Sequence, residues 1–243
     1  MSSPKTVARI AGSFYLIMFV CAGFAGFVRF RIVESGDAAA TADNIRASAT
    51  LFRVGFVSDL VQVTSLLVAA MALYLLLKHV NQLVAQAMVA FVAVAVAIQS
   101  LNLLNQYTAL TIATGEDYTR AFGKAGSDQL AMLFADMQHN GYYIAAMFFG
   151  LWLLPLGYLV IKSGYVPKVL GVLLIIGGVG YLADLFARFL APDFGASISW
   201  FVVAPGAVAE LSFTAWLLVK AVRVPAARKA RVPAMAGHSS RSS

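Results

Sequence analysis

The sequence predicts an all-α membrane protein, a bundle of six transmembrane helices. Of its 243 residues, 60% are hydrophobic and only 12% are charged, whereas soluble domains are about 45 to 50% apolar. Six apolar runs each reach the roughly 17 to 25 residues that a helix needs to cross a bilayer. Because lipid offers backbone groups no hydrogen bonds, such uninterrupted runs must be helices. The predicted spans are residues 10–28, 54–77, 83–109, 141–161, 169–189 and 199–219.

The distribution of charge predicts the orientation of the bundle. A net charge of +7 would suggest nucleic acid in a soluble protein. Here, however, the basic residues collect without acids on one side of the predicted topology, so no nucleic-acid partner is expected. By the positive-inside rule this side, with both termini, is cytoplasmic, and the predicted location is the plasma membrane. The basic set is Lys5, Arg9, Lys78, Lys162, Lys168, Lys220, Arg223, Arg228, Lys229, Arg231 and Arg241.

The first span is either a secretory signal peptide or a retained helix. Lys5 and Arg9 precede an apolar run that is longer than a usual signal core and lacks a clear cleavage site, so we favour the retained helix. Cys21 lies within it as the single cysteine, which excludes an intramolecular disulfide. The alanine-rich loop 37–46 predicts a short surface helix in the outer loop, either a lid or a plain connector.

The second and third spans carry polar side chains towards their outer ends. Asp59 and Gln62 are three residues apart and share a helix face. Gln99, Asn102 and Gln106 follow on one broad face of the third span. Amides in lipid often form hydrogen bonds between helices, at around 0.6 kcal/mol each. The same groups also suit the wall of a hydrated cavity, and both interpretations stay open.

The stretch from residue 127 to residue 161 is helical in character but too long for one crossing. Its predicted break is Gln138–Gly141, where Asn and Gly lower helix propensity. The part before the break would then lie in the outer interface as an amphipathic helix. This places His139 at the outer mouth of the bundle, as an interfacial or capping residue or as a ligand.

Ionisable side chains lie inside the last two spans. Asp184 and Arg188, at positions i and i+4, can form a self-contained ion pair. Glu210 lies near the middle of the last span, on the order of 15 Å from either surface, where an ionisable group costs roughly 2.5 to 3.5 kcal/mol. It should therefore face the protein interior, with Arg188 or Arg53 as a candidate partner. Pro205, one turn earlier, frees a backbone carbonyl at the same level.

Hydrophilic side chains from separate helices thus collect in the outer half of the predicted bundle, while the inner half is almost purely apolar. Polar groups at membrane depth are tolerated chiefly where they pair or line a cavity, so we predict an outward-opening polar cavity in a transmembrane domain of residues 1–222. The basic tail 223–243 is predicted to be disordered and attracted to anionic lipid. The candidate ligand-binding residues are Asp59, Gln99, Asn102, Gln106, His139, Asp184, Arg188 and Glu210.

Several short motifs follow one another along the spans. They are Ala8–Gly12, Asp59-Leu60, Asn102–Asn105, His139 with Gly141-Tyr142, Phe148–Leu151, Gly157-Tyr158, Ser163–Pro167, Gly180-Tyr181, Asp184, and Glu210-Leu211 with Trp216–Leu218. Their order resembles a bacterial family of multi-pass membrane proteins, domain of unknown function 4386. The similarity covers about residues 5–221 and excludes the basic tail. The resemblance implies a six-helix membrane protein, and it implies no catalytic residues because the family has no established activity.

Three classes of function stay open. In the first, which we prefer, the cavity binds a small molecule, cation or proton from the outer side, in a sensor, carrier or accessory subunit. In the second, the polar residues only lock the helices together, and the function is assembly with a membrane partner protein. The third is a lipid-modifying enzyme. A single histidine near the cavity disfavours a His-rich zinc site and leaves a metal-free pair such as His139 with Asp59 or Asp184. No cofactor motif is present, so none is expected.

Overall fold

The computed structural model describes residues 3–222, which form seven α-helices and no strand. Six of the helices are long and apolar enough to span a membrane. Each predicted span lies inside one of these six, so the predicted all-α bundle of six spanning helices is confirmed. The tail 223–243 lies outside the described residues, and the side of the membrane that each end faces stays a prediction. The helices are α1 (Pro4–Ile32), α2 (Ala38–Ala47), α3 (Ala49–Leu77), α4 (Gln82–Thr114), α5 (Glu116–Ser163), α6 (Lys168–Leu190) and α7 (Pro192–Val219).

The six long helices form a closed ring in chain order. Each packs against the next, in the order α1, α3, α4, α5, α6 and α7, and α7 returns to pack against α1. Consecutive members run antiparallel, so both ends of the described chain lie on one face, which we call the terminal face. The turns at 78–81 and 164–167 lie on the same face. The opposite face carries α2 and the connections at Gly115 and Ala191.

Two apolar clusters hold the ring together, one towards each face. Members of the larger cluster, towards the terminal face, include Tyr15, Leu73, Met88, Trp152 and Leu217. Members of the smaller cluster include Val28, Ile45, Phe52, Leu110 and Ala131. Asp128 is buried near the opposite face. By their positions along the helices, the other buried carboxylate and amide side chains lie between the two clusters or at the border of the larger one. They are Asp59, Gln62, Gln99, Asn102, Gln106, Gln138, Asp184 and Glu210.

Two pairs of glycines bring α5 and α6 close together. Gly150 and Gly157 have the same spacing on α5 as Gly171 and Gly178 have on α6, so the pairs meet in antiparallel register. A methyl group on Gly178 would lie 2.8 Å from the Gly150 carbonyl oxygen, and one on Gly171 would lie 2.7 Å from the Gly157 carbonyl oxygen. Small residues allow such close backbone contact in lipid. The contact fixes α6, whose later turns line the centre of the ring.

The predicted break of α5 at Gln138–Gly141 is wrong. The helix continues through these residues, and its non-helical residue is Gly123 (φ 71°, ψ 165°), in a region open essentially to glycine alone. Gly141 instead provides space for α4, because a methyl group there would lie 2.6 Å from Cγ of Asn102. Asn102 Nδ2 donates to the Gln138 carbonyl oxygen at 2.8 Å. The glycine therefore serves the contact between α4 and α5 and leaves the helix intact.

The alanine-rich loop forms α2, which ion pairs attach to the opposite face. Arg46 in its last turn pairs with Asp128 of α5 and donates to the Ala113 carbonyl oxygen at 2.8 Å. Lys124 of α5 lies 3.2 Å from the Asp43 carboxylate, and its hydrogen bond holds the pKa of Asp43 below the usual range. These contacts tie the loop to the bundle.

Candidate functional site

The local sequence of α7 places Glu210 against the interior of the ring. Glu210 is 6% exposed and lies about one turn after Pro205, which is inside the helix. Gly206 lets α7 approach α6, because a methyl group there would lie 3.1 Å from Cα of Gly177. The same methyl group would lie 3.1 Å from Cζ of Tyr181. The glycine thus leaves room for the Tyr181 ring to pass α7 and reach the carboxylate.

Two tyrosine hydroxyls hold the Glu210 carboxylate, one on each oxygen. Tyr15 of α1 donates to Oε2, and Tyr181 of α6 donates to Oε1 at 2.8 Å. The Tyr15 ring is fully buried, with its centroid 5.2 Å from that of Phe19 and 5.7 Å from that of Trp152. Buried tyrosine hydroxyls need a hydrogen-bond partner, and this one finds it on another helix. The arrangement orients the carboxyl group without bringing a basic side chain to it.

Neither arginine considered from the sequence pairs with Glu210. Arg53 is exposed, and Arg188 is engaged with Asp184. Within residues 3–222, Glu210 forms no ion pair at all. A carboxylate at mid-depth with neutral partners is costly in lipid unless it faces a polar or occupied space.

Glu210 borders a cavity of about 340 Å³ at the centre of the ring. Five of the six long helices contribute to its wall, and α4 does not. The wall combines three acidic or basic side chains with six aromatic rings, the polar side chains of Gln62 and Ser199, and six apolar residues. Its residues are Met18, Phe19, Ala22, Gln62, Leu66, Tyr142, Tyr143, Ala146, Phe149, Trp152, Tyr181, Asp184, Leu185, Arg188, Ser199, Val203 and Glu210.

The second carboxylate of the wall, Asp184, carries its own counterion. Arg188 Nε donates to Asp184 Oδ2 at 2.9 Å. The same guanidinium donates to Ser199 of α7 and lies over the Tyr143 ring of α5, 4.8 Å from the centroid. The arginine therefore joins three helices near the opposite face. The other oxygen, Oδ1 of Asp184, is buried and accepts no hydrogen bond from a described residue.

Three of the eight candidate residues, Asp184, Arg188 and Glu210, lie together on the cavity wall. Asp59 lies outside it and pairs with Arg29 of α1. His139 is exposed, with its ring edge-on to Tyr143 at 5.2 Å between centroids. Among the described residues it has no hydrogen bond to Asp59 or Asp184, so the acid–base pair considered for an enzyme is not assembled.

The three amide candidates lie on α4, away from the cavity wall. Asn102 bonds to the Gln138 carbonyl oxygen of α5, which is the helix-joining contact that amides favour in lipid. Gln99 and Gln106 are 0% and 2% exposed, and their amide atoms find no hydrogen-bond partner within the described residues. The structure thus places Asp184, Arg188 and Glu210 on the cavity wall, uses Asp59 and Asn102 in contacts between helices, and leaves Gln99, Gln106 and His139 in neither group.

Sequence reasoning missed Tyr15 and Arg29, the partners that satisfy Glu210 and Asp59. A signal for Tyr15 was present, since it is a tyrosine in mid-span on the same helix face as Ala8, Ala11 and Met18. Its hydroxyl lies at a depth where only a protein group can bind it. Arg29 lies just beyond the predicted end of the first span at residue 28, and a long arginine side chain can reach back from there towards the bundle.

The described side chains offer no ready metal site. In residues 3–222, no three His, Cys, Asp or Glu side chains come close enough together to hold a metal ion. The cavity can therefore provide isolated carboxylates, hydroxyl groups and aromatic faces to an occupant. It does not provide a set of several converging anionic ligands.

A closed ring of six long apolar helices around buried carboxylates defines a multi-pass integral membrane protein. Residues 10–221 match the family described as domain of unknown function (DUF4386), and the chain belongs to that family. A segment of 74 residues is 39% identical to an uncharacterized protein of Archaeoglobus fulgidus, covering 30% of this chain and 42% of that protein. The chain thus spans less than half the length of this relative. No solved structure matches the chain.

Proposed function

We propose that the cavity around Glu210 binds a small molecule, cation or proton, in a membrane protein that acts as a sensor, carrier or accessory subunit. The charge balance of the wall carries this proposal. Glu210 and Asp184 are acidic, and Arg188 is the basic side chain among the described wall residues. Because Arg188 pairs with Asp184, the charge of Glu210 is left for an occupant. A positively charged occupant would offset the cost of an ionised carboxylate at this depth.

The proposed entrance is on the opposite face of the ring. The larger apolar cluster fills the terminal-face side of Glu210. On the other side, the cavity wall extends to Arg188 and Ser199. These two residues lie close to the connection at Ala191, on the opposite face. If the basic terminal face is cytoplasmic, as the positive-inside rule predicts, the entrance opens outward from the plasma membrane.

The test is to measure cation and proton binding by the purified protein and its Glu210→Gln variant. We expect the unfolding temperature of the full chain in detergent to depend on the added cation or on pH, because binding to the folded state stabilises it. Glu210→Gln should abolish the cation dependence and reduce the pH dependence, while the protein still inserts and folds. The matched control is Glu34→Gln, the same change at an exposed position. Equal responses from both variants would contradict the proposal.

An assembly protein is the second candidate, and the contacts between α1, α3, α4 and α5 favour it. Arg29 pairs with Asp59 across α1 and α3, and Asn102 joins α4 to α5. Both contacts lock helices together without a ligand. If Glu210→Gln and Asp184→Asn lower the unfolding temperature but change no binding, this second function is supported and the first is wrong.

A further inference from the structure

We infer that the occupant of the cavity is an organic ammonium ion, held by the Glu210 carboxylate and surrounded by aromatic rings. This inference rests on the proposed function and gives its ligand a chemical class. Two features of the wall support it, the aromatic lining and the unbalanced charge, and the size of the cavity limits the occupant.

Aromatic rings form much of the cavity wall. The ring faces carry partial negative charge, which attracts an ammonium group, and quaternary ammonium ligands are commonly bound in this way. The wall already holds one cation by this means, because the Arg188 guanidinium lies 4.8 Å from the centroid of the Tyr143 ring. The six rings are Phe19, Tyr142, Tyr143, Phe149, Trp152 and Tyr181.

The polar groups of the wall select for positive charge. Glu210 is held by Tyr15 and Tyr181, and it has no basic partner among the described residues. Oδ1 of Asp184 is a second acceptor, buried and without a hydrogen bond from a described residue. An anion would meet two carboxylates against one arginine that is already paired. A cation would supply the positive charge that no described residue brings to Glu210.

The size and chemistry of the cavity favour an organic cation over a bare metal ion. Its volume of about 340 Å³ falls at the lower end of the roughly 300 to 1,000 Å³ of small-molecule sites. Hard cations such as calcium take about six to eight oxygen ligands. The wall has two carboxylates on neighbouring helices and mostly carbon elsewhere, and an alkyl ammonium ion makes use of both surfaces.

The experiment uses the full chain in detergent and isothermal titration calorimetry. The probes are choline, tetraethylammonium and benzyltrimethylammonium, with 3,3-dimethyl-1-butanol as the uncharged analogue of choline. We expect at least one ammonium probe to bind. We also expect choline to bind at least about tenfold more tightly than its neutral analogue, because the analogue loses the charge interaction but keeps the shape. This comparison needs no variant, so it does not depend on a variant folding.

Two pairs of variants test the residues that carry the inference. Glu210→Gln should weaken binding of the tightest ammonium probe by about tenfold or more. Glu34→Gln should leave this binding unchanged. Phe149→Leu keeps an apolar side chain on the wall but removes a ring. It should weaken binding of the same probe by about three- to tenfold. Its control is Phe186→Leu at a side chain that is 51% exposed, for which no change is expected.

The outcomes separate this inference from the function on which it rests. Equal binding of choline and its neutral analogue would overturn the inference, as would unchanged binding by Phe149→Leu. If only sodium, potassium or protons bind, and this binding needs Glu210, the inference is wrong and the proposed function stands. If neither ammonium probes nor inorganic cations nor protons act through Glu210, both are wrong.

Discussion

Asp184 and Glu210 line the same cavity, yet their carboxylates are satisfied by different means. Asp184 is paired with Arg188, four residues away on its own helix, at 2.9 Å. Glu210 accepts hydrogen bonds from Tyr15 and Tyr181, which are 195 and 29 residues away in the chain. The first carboxylate is neutralised locally. The second is oriented by hydroxyl groups from other helices and has no basic partner among the described residues.

Asp59 resembles Asp184 rather than Glu210. It is fully buried and is paired with Arg29 of the neighbouring α1. Two of the three carboxylates buried in the spanning part of the ring therefore have arginine partners. The comparison predicts that loss of an arginine mainly changes stability, whereas loss of the Glu210 charge mainly changes binding.

Arg29→Ala should have the largest effect on stability. It leaves the fully buried Asp59 carboxylate without its counterion, and breaking a buried pair in this way costs about 3 kcal/mol of unfolding free energy. The measurement is reversible unfolding in mixed detergent micelles. The control is Arg120→Ala, which breaks a pair whose side chains are 74% and 91% exposed and should change little. Similar losses from both variants would contradict the role given to the Arg29–Asp59 pair.

Gly177→Ala should disturb the setting of Glu210 without touching a charge. The added methyl group would meet the backbone of Gly206, so α6 must move away from α7, at a cost of about 2 kcal/mol by analogy with overpacked cores. Because Tyr181 lies one turn further along α6, ligand or proton binding should also weaken. Gly23→Ala is the control, since no atom lies within 4 Å of a methyl group there. A stable Gly177→Ala protein with normal binding would show that this helix contact does not position Tyr181.

Tyr15→Phe should cost about 1.5 kcal/mol of unfolding free energy, because it leaves one oxygen of a buried carboxylate without its donor. The ring remains, so the packing against Phe19 and Trp152 is kept. Tyr158→Phe, at a side chain that is 40% exposed, should be near neutral. The same unfolding assay measures both variants. Equal losses of unfolding free energy would contradict a stabilising hydrogen bond from Tyr15 to Glu210.

Asp43→Asn should have the smallest effect, seen only in its pH dependence. Lys124 holds the pKa of Asp43 below the usual range, so the carboxylate contributes stability above the pKa of about 3.9 of an unfolded chain and loses it as pH falls towards the lowered pKa. The wild type should therefore lose slightly more stability than Asp43→Asn below about pH 4. Parallel curves of unfolding free energy against pH for the two proteins would show that the Asp43 carboxylate makes no such contribution.

The sequence was sufficient for the spans and for the local ion pair, because both depend on short-range patterns. Apolar length identified each membrane helix, and the spacing of Asp184 and Arg188 predicted their contact. The partners of Glu210 and Asp59 lie on other helices, so they depend on how those helices pack: Tyr15 reaches Glu210 because α1 and α7 close the ring, and Arg29 reaches Asp59 because α1 packs against α3. Gly141 illustrates the same limit, since propensity suggested a break where the glycine accommodates Asn102 of another helix.

The most direct test of the contrast between Asp184 and Glu210 is labelling with a membrane-permeant carbodiimide, read by mass spectrometry of the digested protein. Such reagents react with carboxyl groups that can take up a proton in apolar surroundings, and they spare carboxylates held as ion pairs with arginine. We expect the reagent to modify Glu210 and to modify Asp184 and Asp59 little or not at all. Adding a cation that binds in the cavity should protect Glu210 from modification. Labelling of Asp184 as readily as Glu210, or labelling of Glu210 that no cation prevents, would contradict the account of Glu210 as the unpaired charge of the cavity.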